Sequence, residues 1–587
     1  MKRKGRVLAT TTAVLALTLT GACASSKSTT TATNTAKFNA ALNAVYNPSD
    51  KKGGTITMAI SEDWDSVDTG DTYYGLSWNL LRLYSRSLVM FDPVPGPDGN
   101  KLVPDLADSL GVSSDGGKTW TYHLRAGVKF QDGTPITSKD VKYAELRSFD
   151  KTVLVNGPTY MNDWLNWPAG YTGPYKQPNV NTDQAISTPD DRTIVYHLKR
   201  PFGGFDYFAM LPSSAPVPKA ADQGTNGGVN YKKHVVSSGP YKFQSYEAGK
   251  GFTLVRNTNW DPATDPNRKA LPDEYVIKLG VDATDIDNQL LAGTIQVDLA
   301  GTGVQTATLP QVLSNPTNRA NADNPTAARL WYTSINPTVA PFDNIDCRRA
   351  VMYAADKVGY QNAYGGPLAG GDIATSLMPP IIPGYQKTDA YPDGADHKGD
   401  LDKAKAALDA CGKPNGFSTN MAYRSDRPKE KATAESLQQS LKRVGISLTL
   451  KGYPTGDYFS IDVGKPSFLV ANNLGLATNG WAADWNDGFG FLQQIVDGRV
   501  IRPSGGSSNL SVNFPAINTM VDEAMSESDA AKRNQDWAAI DKAVMDQAVI
   551  LPGVWAKAVT IRGKGLTNVF VNEAFGQYDY MSFGAVS

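Results

Sequence analysis

The sequence predicts an α/β protein built on open sheets. Three observations carry that reading: short β-branched runs alternate with stretches of helical periodicity, no heptad or short repeat runs through the chain, and the later third is richer in helices than the first. Its 587 residues, 41% hydrophobic and 10% aromatic, can bury a sizeable core, and at about 100 to 200 residues per domain they fill two to four domains. The 54 Gly and 36 Pro are too few for a collagen-like or low-complexity chain.

Each element has a local reason. Thr55 to Ile60 is a β-rich run. Trp120, Tyr122 and Leu124 alternate as a strand does, and Val128-Lys129-Phe130 leads to the turn Asp132-Gly133, which together read as a hairpin. Thr137 followed by Asp140 is a capping-box start for a helix through Val141 and Ala144. Thr193 to Leu198 is a second hairpin-like passage. Leu401, Ala404 and Leu408 recur at helical spacing before Gly412, and Leu437, Leu441 and Val444 before Gly445 and the strand-like Ile446 to Lys451. Ser528 caps a helix carrying Trp537, Ile540 and Val544, which must end before Pro552. Gly- and Pro-rich passages at 167–178, 364–371, 379–394 and 502–508 read as surface loops.

The N-terminus reads as an export signal. Met1–Ala22 has a basic start and an apolar stretch from Val7 to Leu19, well short of the roughly 20 residues of a membrane-spanning helix, and Gly21 and Ala22 suit cleavage before Cys23. A Cys directly after small residues resembles a lipobox, which would place a diacylglyceryl group on Cys23; Thr20 stands where that motif has an aliphatic residue. The Ser-, Thr- and Asn-rich stretch from 23 to 52 reads as a flexible tether to the outer face of the cell membrane. Four cations (Lys2, Arg3, Lys4, Arg6) precede Cys23, so the remainder carries 53 cationic against 58 acidic residues and offers no footprint for nucleic acid. Cys347 and Cys411 are the remaining thiols, and in an exported chain such a pair is expected as a disulfide. Closing that loop would constrain the unfolded chain by about 4 kcal/mol. No His or CxxC spacing near them points to zinc.

Several passages resemble the dipeptide-, oligopeptide- and nickel-binding proteins of ABC importers, solute-binding family 5. The longest runs from Leu102-Val103-Pro104-Asp105-Leu106-Ala107 through Trp120-Thr121-Tyr122-His123-Leu124-Arg125 and Val128-Lys129-Phe130 to Asp132-Gly133-Thr134-Pro135-Ile136-Thr137 and Asp140-Val141. Ser238-Gly239-Pro240-Tyr241, Leu254-Val255-Arg256-Asn257, Pro341-Phe342-Asp343-Asn344 with Arg348-Arg349-Ala350, and Gly480-Trp481-Ala482-Ala483-Asp484-Trp485 follow in order. The resemblance implies a periplasmic-binding-protein-like (type II) two-lobe fold with a hinge and an extra domain inserted in the N-terminal lobe. On this sequence the first lobe becomes 53–90, 235–325 and 546–587, the extra domain 91–234, and the second lobe 326–545.

It further implies an oligopeptide ligand, an ABC permease and ATPase as partners, a monomer, and no cofactor. In peptide-binding relatives the acidic residue after Gly-Trp pairs with the peptide's α-ammonium, and Asp484 stands there, with Gly480 and Ala482 beside it and Trp481 and Trp485 as candidate cleft walls. Asp63 and Trp64, with Glu62, Asp65, Asp68 and Asp71, lie in a second loop where family members reach the ligand, and its acidity suits a cation. Some relatives carry Arg two residues before Gly-Trp; this chain has Thr478.

Other classes have less behind them. The four His are scattered and there is no HExxH, GxSxG or GxxxxGK[ST], so a secreted hydrolase lacks a motif and any ATP is used by a partner. No His or Met cluster near Asp484 suits nickel or haem. Oligosaccharide stays as the alternative ligand, because Trp64, Trp481 and Trp485 suit stacking on sugar rings.

Overall fold

The computed structural model describes residues 32–33, 36–61, 63–64, 66–72, 75–150, 152–154, 157–223, 228–301, 303–425, 427–454 and 457–586. The expected signal at Met1–Ala22, Cys23, Glu62 and Asp65 lie outside the described residues.

Two sheets organise the chain. In the first, Thr55–Ala59 lies centrally, parallel to Glu274–Lys278 on one side and Val297–Asp298 on the other, and Gly251–Arg256 and Tyr241–Glu247 continue the sheet antiparallel. Ile56 and Met58 are fully buried from one face of that central strand, as a period of two requires.

The insertion carries a four-stranded antiparallel sheet in the order Val112–Ser114, Thr119–His123, Thr193–His197, Ile186–Ser187. Trp120, Tyr122 and Leu124 point into its core. The helix Ser138–Arg147 starts at the expected capping box, where Asp140 Oδ2 accepts from the Thr137 amide at 2.8 Å.

The second sheet has six strands in the order Gly371–Ile373, Ile550–Lys557, Thr326–Ile335, Leu474–Ala482, Ser418–Arg424, Ser447–Tyr453. The sequence reading gave everything from 546 onward to the first lobe, but Ile550–Lys557 pairs along Thr326–Ile335 in this second sheet. Pro552 disguised it. Proline removes a ladder donor and argues against a central strand, yet here it sits at a break in register between Trp331 and Tyr332, where a missing N–H is tolerated. The chain crosses between the sheets through a short antiparallel pair, Ala322–Asp323 with Thr560–Ile561, where buried Asp323 accepts from the Arg562 guanidinium and, at 2.8 Å, from Tyr578 OH.

The expected tether also needs correction. Residues 37–49 are docked rather than free: Asn39 N donates to Ala322 O at 3.0 Å, Ala41 N to Asp323 Oδ1 at 3.0 Å, and Tyr46 N to Val569 O at 2.7 Å. Backbone pairing and two buried alanines hold this segment, and neither leaves an apolar pattern in sequence. The helix expected from Ser528 begins one residue later, with Asp529 Oδ1 accepting from Lys532 N at 2.7 Å. A disulfide joins Cys347, on the helix Ile345–Ala354, to Cys411 at the end of Leu401–Ala410, Cα to Cα 5.4 Å. Among the described residues no helix is long and apolar enough to cross a membrane.

One buried carboxyl gives a pH test. Glu145 is fully buried in the insertion, and burial, opposed only by Ser213, pushes its carboxyl from 4.5 up to about 8. Between those values the folded protein keeps a proton that the unfolded chain has lost, so Glu145 lowers stability as pH rises, by up to about 1.4 kcal/mol per pH unit. Denaturant titrations should show a flatter pH dependence for Glu145→Gln across that window; parallel curves for the two proteins would show that Glu145 does not titrate there.

Candidate ligand site

In open α/β sheets, ligands sit beyond the carboxyl ends of parallel strands, where the connecting loops splay and backbone groups point outward. In the second sheet Ser418–Arg424 runs parallel to both Ser447–Tyr453 and Leu474–Ala482. Their carboxyl ends bring Arg424, Tyr453 and Gly480-Trp481-Ala482 to one edge, and Asp484 follows directly.

Asp484 is half-buried, and its carboxylate accepts a hydrogen bond from Tyr160 OH, so a residue of the insertion reaches the second lobe at this point. Its own amide donates to Gly490 O at 3.0 Å, and Asp487 caps the helix Gly488–Val496 with acceptor distances of 2.7 and 3.2 Å to the amides of Phe489 and Gly490. Burial raises the pKa of Asp487, opposed by Arg533 and these amide bonds. The turn that carries Asp484 is thus fixed by its own hydrogen bonds.

The structure separates the tryptophans that the sequence grouped. Trp485 is 1% exposed, with ring contacts to Tyr160 at 5.0 Å, Phe489 at 5.4 Å, Phe208 at 5.8 Å and Tyr207 at 6.0 Å. It packs the insertion against the second lobe and has no face left for a ligand. Trp64 is 5% exposed and edge-on to Phe252 at 5.8 Å, so it too belongs to a core. Trp481 alone stays half-buried, and its indole N–H has no hydrogen-bond partner among the described residues.

Gly480 fits the strand for a steric reason. A Cβ at Gly480 would fall 2.2 Å from the Trp331 ring. Gly480→Ala should therefore cost about 1–3 kcal/mol in a chemical denaturation series through forced displacement of Trp331; an unchanged midpoint would show that the ring moves freely.

The second loop is largely committed to internal bonds. Asp63 is exposed, and its Oδ1 accepts from the amides of Trp64 at 2.8 Å and Gly249 at 3.2 Å. Asp68 is paired in both oxygens with Arg147, and Asp71 with Lys232 at 2.6 Å. Its acidity serves the joint with the insertion, which removes the sequence-based reason to expect a cation there.

Residues that the sequence reading passed over complete the edge. Arg329, on Thr326–Ile335, lies opposite Ala482, with its guanidinium over the Trp331 ring at 5.1 Å. Burial and the neighbouring cations Arg427 and Arg424 push it down to about 10, still cationic at neutral pH. Arg424 is itself bound by Glu430, Nε to Oε1 at 2.8 Å. Only the strand register brings Arg329 to Ala482, 153 positions later in the chain.

Comparison with known proteins places this architecture. The model of the bacterial extracellular solute-binding proteins, family 5 (middle region), matches residues 101–501. The chain belongs to that family. A solved family member, the clavulanic acid biosynthesis oligopeptide binding protein 2, superposes with a TM-score of 0.91 at 41% identity, covering 94% of this chain and 99% of its own. The probable D,D-dipeptide-binding periplasmic protein DdpA of Escherichia coli K12 is 26% identical over 84% of this chain and 87% of its own, and the heme-binding protein A of Haemophilus influenzae 26% over 82% and 84%. The family fold is the type II two-lobe fold. Family 5 proteins are extracytoplasmic binders of solutes for ABC transport.

Proposed function

We propose that this protein captures short peptides between its two lobes and hands them, chemically unchanged, to the permease of an ABC importer, while a lipid on Cys23 holds it at the outer face of the membrane. The observation that carries this reading is the position of Asp484, a half-buried carboxylate at the carboxyl ends of parallel strands, fixed by its turn and facing the insertion. A carboxylate in such a place accepts charge-assisted hydrogen bonds from an ammonium, and the lower dielectric strengthens a satisfied pair. The 41% identical family member is itself named an oligopeptide binding protein. Burial of Trp64 and Trp485 leaves one of the three tryptophans that would favour sugar rings.

Binding closes the lobes about the hinge pair Ala322–Asp323 and Thr560–Ile561, and the closed form is the one a permease recognises. A thermal-shift panel of di- to pentapeptides against oligosaccharides tests the ligand class. A ligand at about 100 times its Kd adds roughly 2.7 kcal/mol of stability. Peptides should raise the midpoint; oligosaccharides raising it where peptides do not would overturn the peptide reading. Metabolic labelling with a fatty acid should mark the wild type and spare Cys23→Ala.

A further inference from the structure

Asn486 fastens the turn that carries Asp484 to two distant parts of the molecule. It is 1% exposed, and its carboxamide N–H groups donate to Asn100 Oδ1 and to Glu573 O, each at 2.8 Å. Asn100 belongs to the insertion and ends the one-turn 3-10 helix Pro97–Asn100. Glu573 belongs to the C-terminal segment, which packs on the first sheet: Tyr275 OH donates to Tyr580 O at 3.2 Å, and Tyr580 OH to Leu299 O at 3.0 Å. The turn itself leads from Leu474–Ala482 of the second sheet into the helix Gly488–Val496. One side chain therefore ties the end of that strand to partners 386 and 87 positions away.

The chemistry suits a carboxamide. Asn100 spends its own N–H on the Glu573 carboxylate at 3.0 Å, which polarises its carbonyl and makes it a better acceptor for Asn486. Two donors on one short side chain serve two acceptors at once, and neither Asp nor Ala supplies them. Within the turn, Asp484 N donates to Gly490 O at 3.0 Å and Asp487 N to Trp485 O at 2.8 Å. Those bonds fix its shape and leave open where it stands against the insertion, whose Tyr160 reaches the Asp484 carboxylate. Trp485 holds it there by packing, which has no direction, and Asn486 by hydrogen bonds, which do.

We infer that Asn486 is a positioning residue for amine recognition: through Asn100 and Glu573 it sets the place of the Asp484 carboxylate, and so how well the protein tells a free amine from a blocked one. The inference rests on the reading of Asp484 as acceptor of the ligand's ammonium and deepens it. A binding group keeps its place to within about 0.5 Å only when the residues behind it are themselves locked.

Calorimetric titration of Ala-Ala-Ala and N-acetyl-Ala-Ala-Ala into the wild type, Asn486→Ala and Asn100→Ala tests this. The wild type should prefer the free amine by about 30-fold or more, as a charge-assisted bond warrants. Asn486→Ala should cut that preference at least about fivefold, and Asn100→Ala should cut it by less, because Glu573 O still accepts from Asn486. A residue that served the fold alone would lower the affinity of both peptides alike and leave their ratio unchanged. The thermal midpoint of each unliganded variant checks that it is folded; if Asn486→Ala is not, the ratio in Asn100→Ala decides. A wild-type ratio in the folded variant overturns the inference and leaves the reading of Asp484 intact. Equal affinity of the wild type for the two peptides, or binding of neither, overturns that reading and this inference with it.

Discussion

Asp484→Ala weakens binding of a free-amine peptide by about 2 to 4 kcal/mol, roughly 30- to 1000-fold in Kd. The size follows from asymmetry. In the wild type the ligand's ammonium exchanges water for a half-buried carboxylate held in place by its turn; in the variant it must give up water for nothing. Folding should suffer less, because what the fold gives up includes the hydrogen bond from Tyr160 to a partly exposed carboxylate, worth about 1.5 kcal/mol. Calorimetry on the variant, with its thermal midpoint measured in parallel, distinguishes a lost site from a lost fold. Affinity within threefold of the wild type would remove Asp484 from the site.

Arg147→Met should be the most destabilising of these substitutions, by about 3–5 kcal/mol at neutral pH. Arg147 is buried at the joint between the insertion and the loop after Thr55–Ala59, where it binds Asp68 through Nη1 at 3.0 Å and Nη2 at 2.5 Å and Asp222 through Nε at 3.2 Å. Tyr143 and Tyr175 also donate to Asp222 Oδ2, at 2.6 and 2.7 Å. Burial alone would raise the pKa of Asp68; the Arg147 charge outweighs it and holds the carboxyl below its ordinary value. With folded pKa depressed, this pair contributes stability above the unfolded value of 3.8 and loses it as pH falls through the folded one. Methionine fills the space without the charge and leaves two buried carboxylates facing each other. Protonation relieves them, so the deficit should shrink on acidification, read as converging denaturation midpoints. A deficit constant with pH would mean that packing, not charge, is what Arg147 supplies.

Local signals in the sequence were reliable where the interaction is local. The alternation of Trp120, Tyr122 and Leu124, the Thr137–Asp140 box and the 401–410 helix all appear where their spacing puts them. Signals failed where a long-range contact decides. Pro552 reads as a terminator, yet the partner strand breaks register to admit it. Residues 37–49 read as tether because backbone pairing to Ala322 and Val569 leaves no apolar pattern. Asp484 was singled out by its Gly-Trp context, and the structure places it just beyond the end of the strand Leu474–Ala482. Trp485 was not separable from Trp481, because which of two neighbouring indoles meets Tyr160 and Phe208 depends on how the insertion docks. Asp68 and Asp71 read as a cation-binding loop until Arg147 and Lys232 claimed them. Arg329 was invisible for the same reason: it reaches the site only through strand register.

The most direct test of ammonium capture at Asp484 is a double-perturbation cycle, titrating one tripeptide and its N-acetylated form into the wild type and into Asp484→Ala. If the two charges meet, acetylation and substitution each cost a comparable factor, and combining them costs little more than either alone, leaving a coupling energy of about 2 kcal/mol or more. Losses that simply multiply, or an acetylated peptide bound as tightly as the free amine, would contradict it.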